Sequence, residues 1–395
     1  MHIRLFFLTL LFAPGCRSQT VDADPSGQSL TDVVVASDAT LSEEEDTQPP
    51  PPALFEQSTP LPTPELPDGL SHLGADGCAA CHWPVVEAWK TSAHFGEPST
   101  AMQKALHAAG NAPECSRCHF PFQVQHRELI APTSTAGALL ESNRVPNENW
   151  SPSLQAEGVG CIACHVREGT VLGSRDYSSP HPVRASEELM SSQGCEACHQ
   201  LSWEGAEVAL YDTYGEWSRT TYAEAGLTCL DCHMAPVAGA ATPGGRTTHA
   251  DHAVDARRGE GLSIHLMAPA KGAIRGQSLE GSLRVQNTGA GHAIPTGSPF
   301  KALLLQVELL DARGNPAGDP SQTVFGREVQ QESPYAILSD TRLQAGDDKT
   351  LPFAIKIPYR AKAGRGTLRV TAIQRHADGE LSSPVVLQEL SFPIQ

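Results

Sequence analysis

Cys78-Ala-Ala-Cys81-His82, Cys115-Ser-Arg-Cys118-His119, Cys161-Ile-Ala-Cys164-His165, Cys195-Glu-Ala-Cys198-His199 and Cys229-Leu-Asp-Cys232-His233 repeat one five-residue pattern. Cys-x-x-Cys-His is the attachment signal for a c-type haem. Its two thiols add across the two vinyl groups of one porphyrin, and the adjacent histidine ligates the iron. A single copy is compatible with a metal knuckle. Five copies that consume ten of the eleven cysteines point to five covalent haems.

The histidine inventory extends this reading. A six-coordinate haem iron takes two axial ligands. His82, His119, His165, His199 and His233 supply one to each of five irons. Of the sixteen histidines, ten remain once these five and His2 are set aside: His72, His94, His107, His126, His181, His249, His252, His265, His292 and His376. Methionine is scarce, with only Met102, Met190, Met234 and Met267 beyond Met1. Mainly bis-histidine, low-spin, low-potential haems follow. His181 is a candidate distal ligand because Ser179-Pro-His-Pro182 is a stiff turn that presents one ring.

The ends of the chain differ from this core. Arg4 precedes an apolar run from Leu5 to Ala13, the layout of an export signal and too short to span a bilayer. Cys16, the odd cysteine, follows that run and resembles a bacterial lipoprotein cleavage site, which makes it a candidate for lipidation. Ordinary signal cleavage and an inert thiol remain the alternatives. Export agrees with haem attachment, which in bacteria takes place outside the cytoplasm. It places the protein at a periplasmic face or the outer membrane. Residues 17–68 are acidic and proline-rich, with Glu43-Glu44-Glu45-Asp46 and Pro49-Pro50-Pro51-Pro52. Such a segment buries too little apolar surface to offset its ordering entropy and reads as a tether or a disordered spacer.

Residues 69–261 hold all five motifs, at intervals of 34 to 46 residues between successive motif histidines. That density leaves no room for an independent core around each haem, so this segment is expected to be mainly α-helical or irregular. Helical fragments are expected at 84–92, 99–109, 185–192 and 203–226, the last with aromatics suited to packing on haem faces. From residue 262 to 395 there are no cysteines. Alternating segments at 282–288, 302–310, 350–358, 367–373 and 384–392, separated by turn signals, predict an all-β, immunoglobulin-like sandwich.

The formal charge is −17 over 395 residues. Phosphate binding needs clusters of Lys and Arg, so nucleic acid is excluded as a partner. The surface suits a cationic partner or simple solubility.

Two blocks add a family resemblance. Cys78 to His94, a CxxCH followed by Trp89-Lys-Thr-Ser92-Ala-His94, resembles the multihaem cytochromes c related to hydroxylamine oxidoreductase and the pentahaem nitrite reductases. Glu216-Trp217-Ser-Arg-Thr-Thr-Tyr222, followed by Gly226 to Met234, resembles a second block of that family, as does Gly158-Val-Gly-Cys161. Val86, Phe95 and Ala235 depart from the pattern. The likeness covers residues 70–255. It implies that His94 ligates a neighbouring haem and that a distal histidine follows the last motif, where Thr248-His249-Ala-Asp-His252 stands. Gly291-His292-Ala-Ile-Pro-Thr-Gly297 is similar to a loop in multihaem cytochromes with a C-terminal β-domain and implies His292 as a further distal ligand. His126, His72 and His107 are the alternates.

Three functions follow as expectations. The first is electron transfer between redox partners, such as other cytochromes or a terminal reductase, with membrane attachment by lipid. The second is an oxidoreductase acting on nitrite, hydroxylamine or a sulfur oxyanion at an open iron. The resemblance weighs against it, because the family's nitrite reductases commonly carry a CxxCK haem and none occurs here. The third is docking of the β-domain into a larger complex, which fold alone supports weakly.

Overall fold

A CxxCH motif needs only one helical turn, because residues i, i+3 and i+4 share one face. The chain builds little more than that. Helix α1 (Ala75–Trp89) carries the first motif and is kinked at His82, ahead of Pro84. The other helices are short: α2 (Pro152–Glu157), α3 (Cys161–His165), α4 (Gln193–His199), α5 (Thr213–Ser218), α6 (Thr221–Glu224) and α7 (Cys229–His233). Between them lie small ribbons, β1 (Glu128–Ile130) with β2 (Arg144–Pro146), β3 (Val166–Arg167) with β4 (Thr170–Gly173) and β5 (Val183–Ala185), β6 (Gln200–Leu201) with β7 (Tyr211–Asp212), and β8 (Pro236–Ala238) with β9 (Thr248–Ala250). This computed structural model describes residues 60–96, 118–130, 144–178, 180–202, 209, 211–254, 261–330, 336–376 and 379–395. Cys16, the export signal, most of the tether, Cys115 and the helix expected at 99–109 lie outside them.

The C-terminal third pairs into two antiparallel sheets. One has the order β10 (Leu262–Met267), β11 (Ser278–Asn287), β15 (Asp348–Lys356). The other has the order β14 (Ile337–Asp340), β13 (Ser321–Val329), β12 (Ala302–Leu310), β16 (Gly364–Arg375), β17 (Val385–Ile394). Period-two alternation explains their faces. Leu303, Leu305, Val307 and Leu309 of β12 all point inward. They meet Leu283 and Val285 of β11, Ile355 of β15, Leu368 and Val370 of β16, and Phe392 and Ile394 of β17 in one core. On the outer face Glu308 stands opposite Arg369 and pairs with it at 2.9 Å. β10, β13 and β14 fall outside the alternating segments of the sequence. β13 buries Phe325 in the core, but Thr323 and Arg327 stand two places either side of it, so no period-two apolar run marks the strand.

The expected fold class, a mainly α or irregular haem domain followed by an immunoglobulin-like sandwich, is corrected by these proportions. Of the described residues 19% are helical and 37% lie in strands, so sheet outweighs helix. Helices of four to seven residues have little stability of their own, and tertiary contacts must hold them. Residues 185–192, expected to be helical, instead continue from β5 into turns, and α4 begins only at Gln193. Residues 211–226 break into β7, α5 and α6 rather than one helix. No helix among the described residues is long and apolar enough to cross a membrane.

The first and third motifs are locked together by backbone contacts. Trp89 Nε1 donates to Val159 O at 3.0 Å, and Ala75 N donates to a Glu157 carboxylate oxygen at 2.8 Å. Gly158, just before the third motif, has φ of 68°, and a Cβ there would collide with the carbonyl oxygen of Gly96. Only glycine takes that turn at that approach. The β-core has a direct test. Leu305→Ala is expected to lower unfolding stability by about 2–5 kcal/mol, and the exposed Val324→Ala by no more than about 0.5 kcal/mol, in guanidinium unfolding followed by circular dichroism.

Candidate haem-binding site

Four motifs sit on described helices, the first on α1, the third on α3, the fourth on α4 and the fifth on α7. In each, both thiols and the histidine fall on one helical face. Nine motif cysteines lie among the described residues. Thiols from different motifs approach one another. The thiols of Cys78 and Cys161 lie close enough to perturb one another, as do those of Cys195 and Cys229. Cys118 Sγ donates to the Cys198 carbonyl at 3.8 Å. The motifs therefore touch first to third, fourth to fifth and second to fourth. Among the described residues no group of three His, Cys, Asp or Glu stands together as a metal site.

Each of four motif histidines faces a second histidine. Ring centres lie 6.4 Å apart for His82 and His181, 6.3 Å for His199 and His94, 6.2 Å for His165 and His252, and 6.2 Å for His233 and His292. These separations lie toward the long end of ring-to-ring pairing. They match one metal ion between two imidazoles: two bonds of about 2.0–2.1 Å, with about 1.1 Å from each nitrogen to its ring centre, span roughly 6.3 Å. The residues thus fit an iron on each axis, although the pairs are far apart in sequence.

Four of these eight rings have a partner for the second nitrogen. Nδ1 of His165 meets Leu172 O at 2.9 Å, that of His252 meets Ala250 O at 2.8 Å, and that of His292 meets Ala293 O at 2.9 Å. His181 Nδ1 makes a longer contact of 3.4 Å to Pro182 O. A carbonyl only accepts, so Nδ1 carries the hydrogen and Nε2 keeps its lone pair for the facing ring. This anchoring is the usual support of a metal-bound imidazole. Burial lowers the pKa of His82, His94, His119, His165 and His292 below the ordinary imidazole value. It pushes His199 and His252 down to about 4. All of them are neutral near pH 7, the form that binds a metal.

Two predicted positions behave differently. His249 and His252 are both expected as distal ligands, on one helical face or for two separate haems; Thr248–Ala250 is strand β9 and a turn follows. His252 reaches His165, whereas His249 turns away and meets Gly239 O through Nδ1 at 3.0 Å. His119, in the motif whose Cys115 lies outside the described residues, faces no second histidine ring among the described residues. His126, an alternate, meets Phe120 O through Nε2 at 2.7 Å.

Sequence reading missed two arginines. Arg167 donates to the carbonyls of Val166 at 2.6 Å and Ala163 at 2.7 Å, capping the C-terminal end of α3 just past His165. Arg184, on β5 beside the His181 turn, has buried Nε and Nη2 atoms without a hydrogen-bond partner. An orphaned guanidinium in a haem-motif segment suits a carboxylate substituent such as a haem propionate. Neither residue has a motif signature. The only local signal is a basic residue two positions past a CxxCH.

No protein-family model matches the chain, and no curated protein matches it. Among solved structures, it is similar to a penta-haem cytochrome c552 from Thermochromatium tepidum, with a TM-score of 0.55 and 19% identity over 82% of this chain and 99% of that one. The chain has a multihaem cytochrome fold. The alkylpurine DNA glycosylase AlkC of Pseudomonas fluorescens matches with a TM-score of 0.21 and 16% identity over 34% of this chain and 30% of that one, too low to bear on it. Arg167→Met keeps the side chain's length and removes its donors. It is expected to cost about 1–3 kcal/mol of stability by stranding those carbonyls, measured as a lower denaturant midpoint.

Proposed function

We propose that this chain is an exported electron carrier holding five c-type haems, most of them bis-histidine. The single observation that carries the reading is the set of four imidazole pairs, each at the separation one iron requires. When bound, each haem supplies a one-electron iron couple. The protein's part is to saturate and hold that iron. Opposed imidazoles leave no coordination site for substrate, and Nδ1 anchors keep the rings in place. Contacts between thiols of neighbouring motifs make the attachment points adjacent, as a chain of carriers requires. His94 and His292 are the distal ligands of the fourth and fifth motif haems in this reading, and His181 and His252 those of the first and third.

The sequence blocks around His94 and Glu216 support a relation to the hydroxylamine oxidoreductase and pentahaem nitrite reductase group. The segment from Arg4 to Cys16 supports export and a lipid anchor at a periplasmic face or the outer membrane, with residues 17–68 as tether. Redox partners of this reading are other cytochromes or a terminal reductase. A second reading, reduction or oxidation of nitrite, hydroxylamine or a sulfur oxyanion, rests on one observation: His119 faces no second imidazole among the described residues.

Electron paramagnetic resonance and carbon monoxide binding separate the two. The carrier is expected to show low-spin signals throughout and no carbon monoxide adduct. A high-spin, carbon monoxide-binding haem with turnover of a nitrogen or sulfur oxyanion would overturn it. Cys16→Ala is expected to move the protein from the membrane to the soluble fraction; undiminished membrane association would rule out the lipid.

A further inference from the structure

His292 comes from the loop between β11 and β12, and an unusual contact secures that loop. Glu216 of α5 and Arg342, just beyond β14, form an ion pair at 2.5 Å, with only 4% and 6% of their side chains exposed. The other carboxylate oxygen of Glu216 accepts from Ala293 N at 3.1 Å and from Thr296 Oγ1 at 2.6 Å. One carboxylate thus grips the loop on the residue after His292 and again three residues further on. Arg342 completes the arrangement. It donates to Pro295 O at 3.4 Å and, through Nε and Nη2, to Asp340 at 2.9 and 2.7 Å.

The far side of the loop is held as well. Asn287 Nδ2 donates to His292 O at 2.9 Å and to Leu343 O at 3.1 Å. Ile294 and Leu343 exchange backbone hydrogen bonds of 2.8 and 3.0 Å. On the helical side, Trp217 Nε1 donates to Leu227 O at 3.0 Å, which ties α5 to the approach of α7 and its His233. Glu216 therefore stands between the helix leading to the motif histidine and the loop presenting the facing one.

Burying two charges is costly, and an apolar pair of equal volume fills such a site as well or better. A carboxylate offers something an apolar group does not: directed acceptors that specify one loop position. We propose that Glu216 and Arg342 act as positioning residues that hold His292 on the His233 axis and thereby set the ligation and potential of that one haem. This inference rests on the bis-histidine reading of that pair.

The test uses the purified holoprotein with wild type, His292→Ala, Glu216→Ala, Glu216→Gln, Thr296→Val and Thr213→Val, read by electron paramagnetic resonance, carbon monoxide binding and redox titration. Glu216→Ala is expected to convert one haem equivalent from low-spin to a carbon monoxide-binding form, or to shift one potential, leaving the others unchanged. Glu216→Gln, which keeps an acceptor, is expected to restore most of the wild-type signal. Thr296→Val removes one Glu216 grip together with the Thr213–Thr296 hydroxyl contact at 2.9 Å, and keeps the protein assessable if Glu216→Ala fails to fold; a partial change at the same haem is expected, and Thr213→Val, which removes the hydroxyl contact alone, is expected to leave that haem unchanged. If His292→Ala alters one haem while Thr296→Val and folded Glu216 variants match wild type in every signal, the clamp is overturned. If His292→Ala itself alters no haem, the bis-histidine reading of this pair is what fails.

Discussion

In the proposed reading one distance governs this molecule: two imidazoles that would share one metal ion stand with ring centres about 6.3 Å apart, because two metal–nitrogen bonds and two half-rings set the span. Four pairs in the structure meet that separation within 0.1 Å of it, from 6.2 to 6.4 Å. The rest of the haem-motif segment serves it. Helices of one or two turns present a motif histidine, and turns and ribbons bring a second histidine opposite. Nothing in this arrangement requires long helices, and with the two C-terminal sheets added, strand exceeds helix among the described residues.

The β-sheets take part in the site through the His292 loop. Their shared core fixes β11, β12 and β15, and the loop hangs from that rigid frame. A contact between Glu216 and Arg342 spans 126 positions of sequence, so the two segments assemble as one structure rather than as beads on a string. A functional loop on a rigid scaffold is a common solution, since loops vary freely while strands hold position.

Legibility differed residue by residue. Leu303 to Leu309 announced β12, because period-two alternation depends only on neighbours. β13 gave no such signal, because Phe325 is flanked two residues away by Thr323 and Arg327, which only the folded sheet accommodates. His181 and His292 stood out through stiff or glycine-rich turns. His249 looked equivalent to His252 and is not, because the segment is extended and then turns, which separates two rings that a helix would align. Glu216, Arg342, Arg167 and Arg184 carry no pattern at all, since each acts through partners that are distant or are backbone atoms.

By itself, the sequence determined the chemistry of attachment. A CxxCH motif is complete within one helical turn, so its meaning survives without knowledge of anything else in the chain. The supply of histidines pointed, in the same local way, to histidine as the proposed second ligand. Only the tertiary structure decided which histidine faces which: His94 belongs with His199 and not with its neighbour His82, and His292 reaches His233 from between two sheets. That choice depends on contacts between distant segments, where burial and hydrogen bonding select one partner among many chemically identical rings.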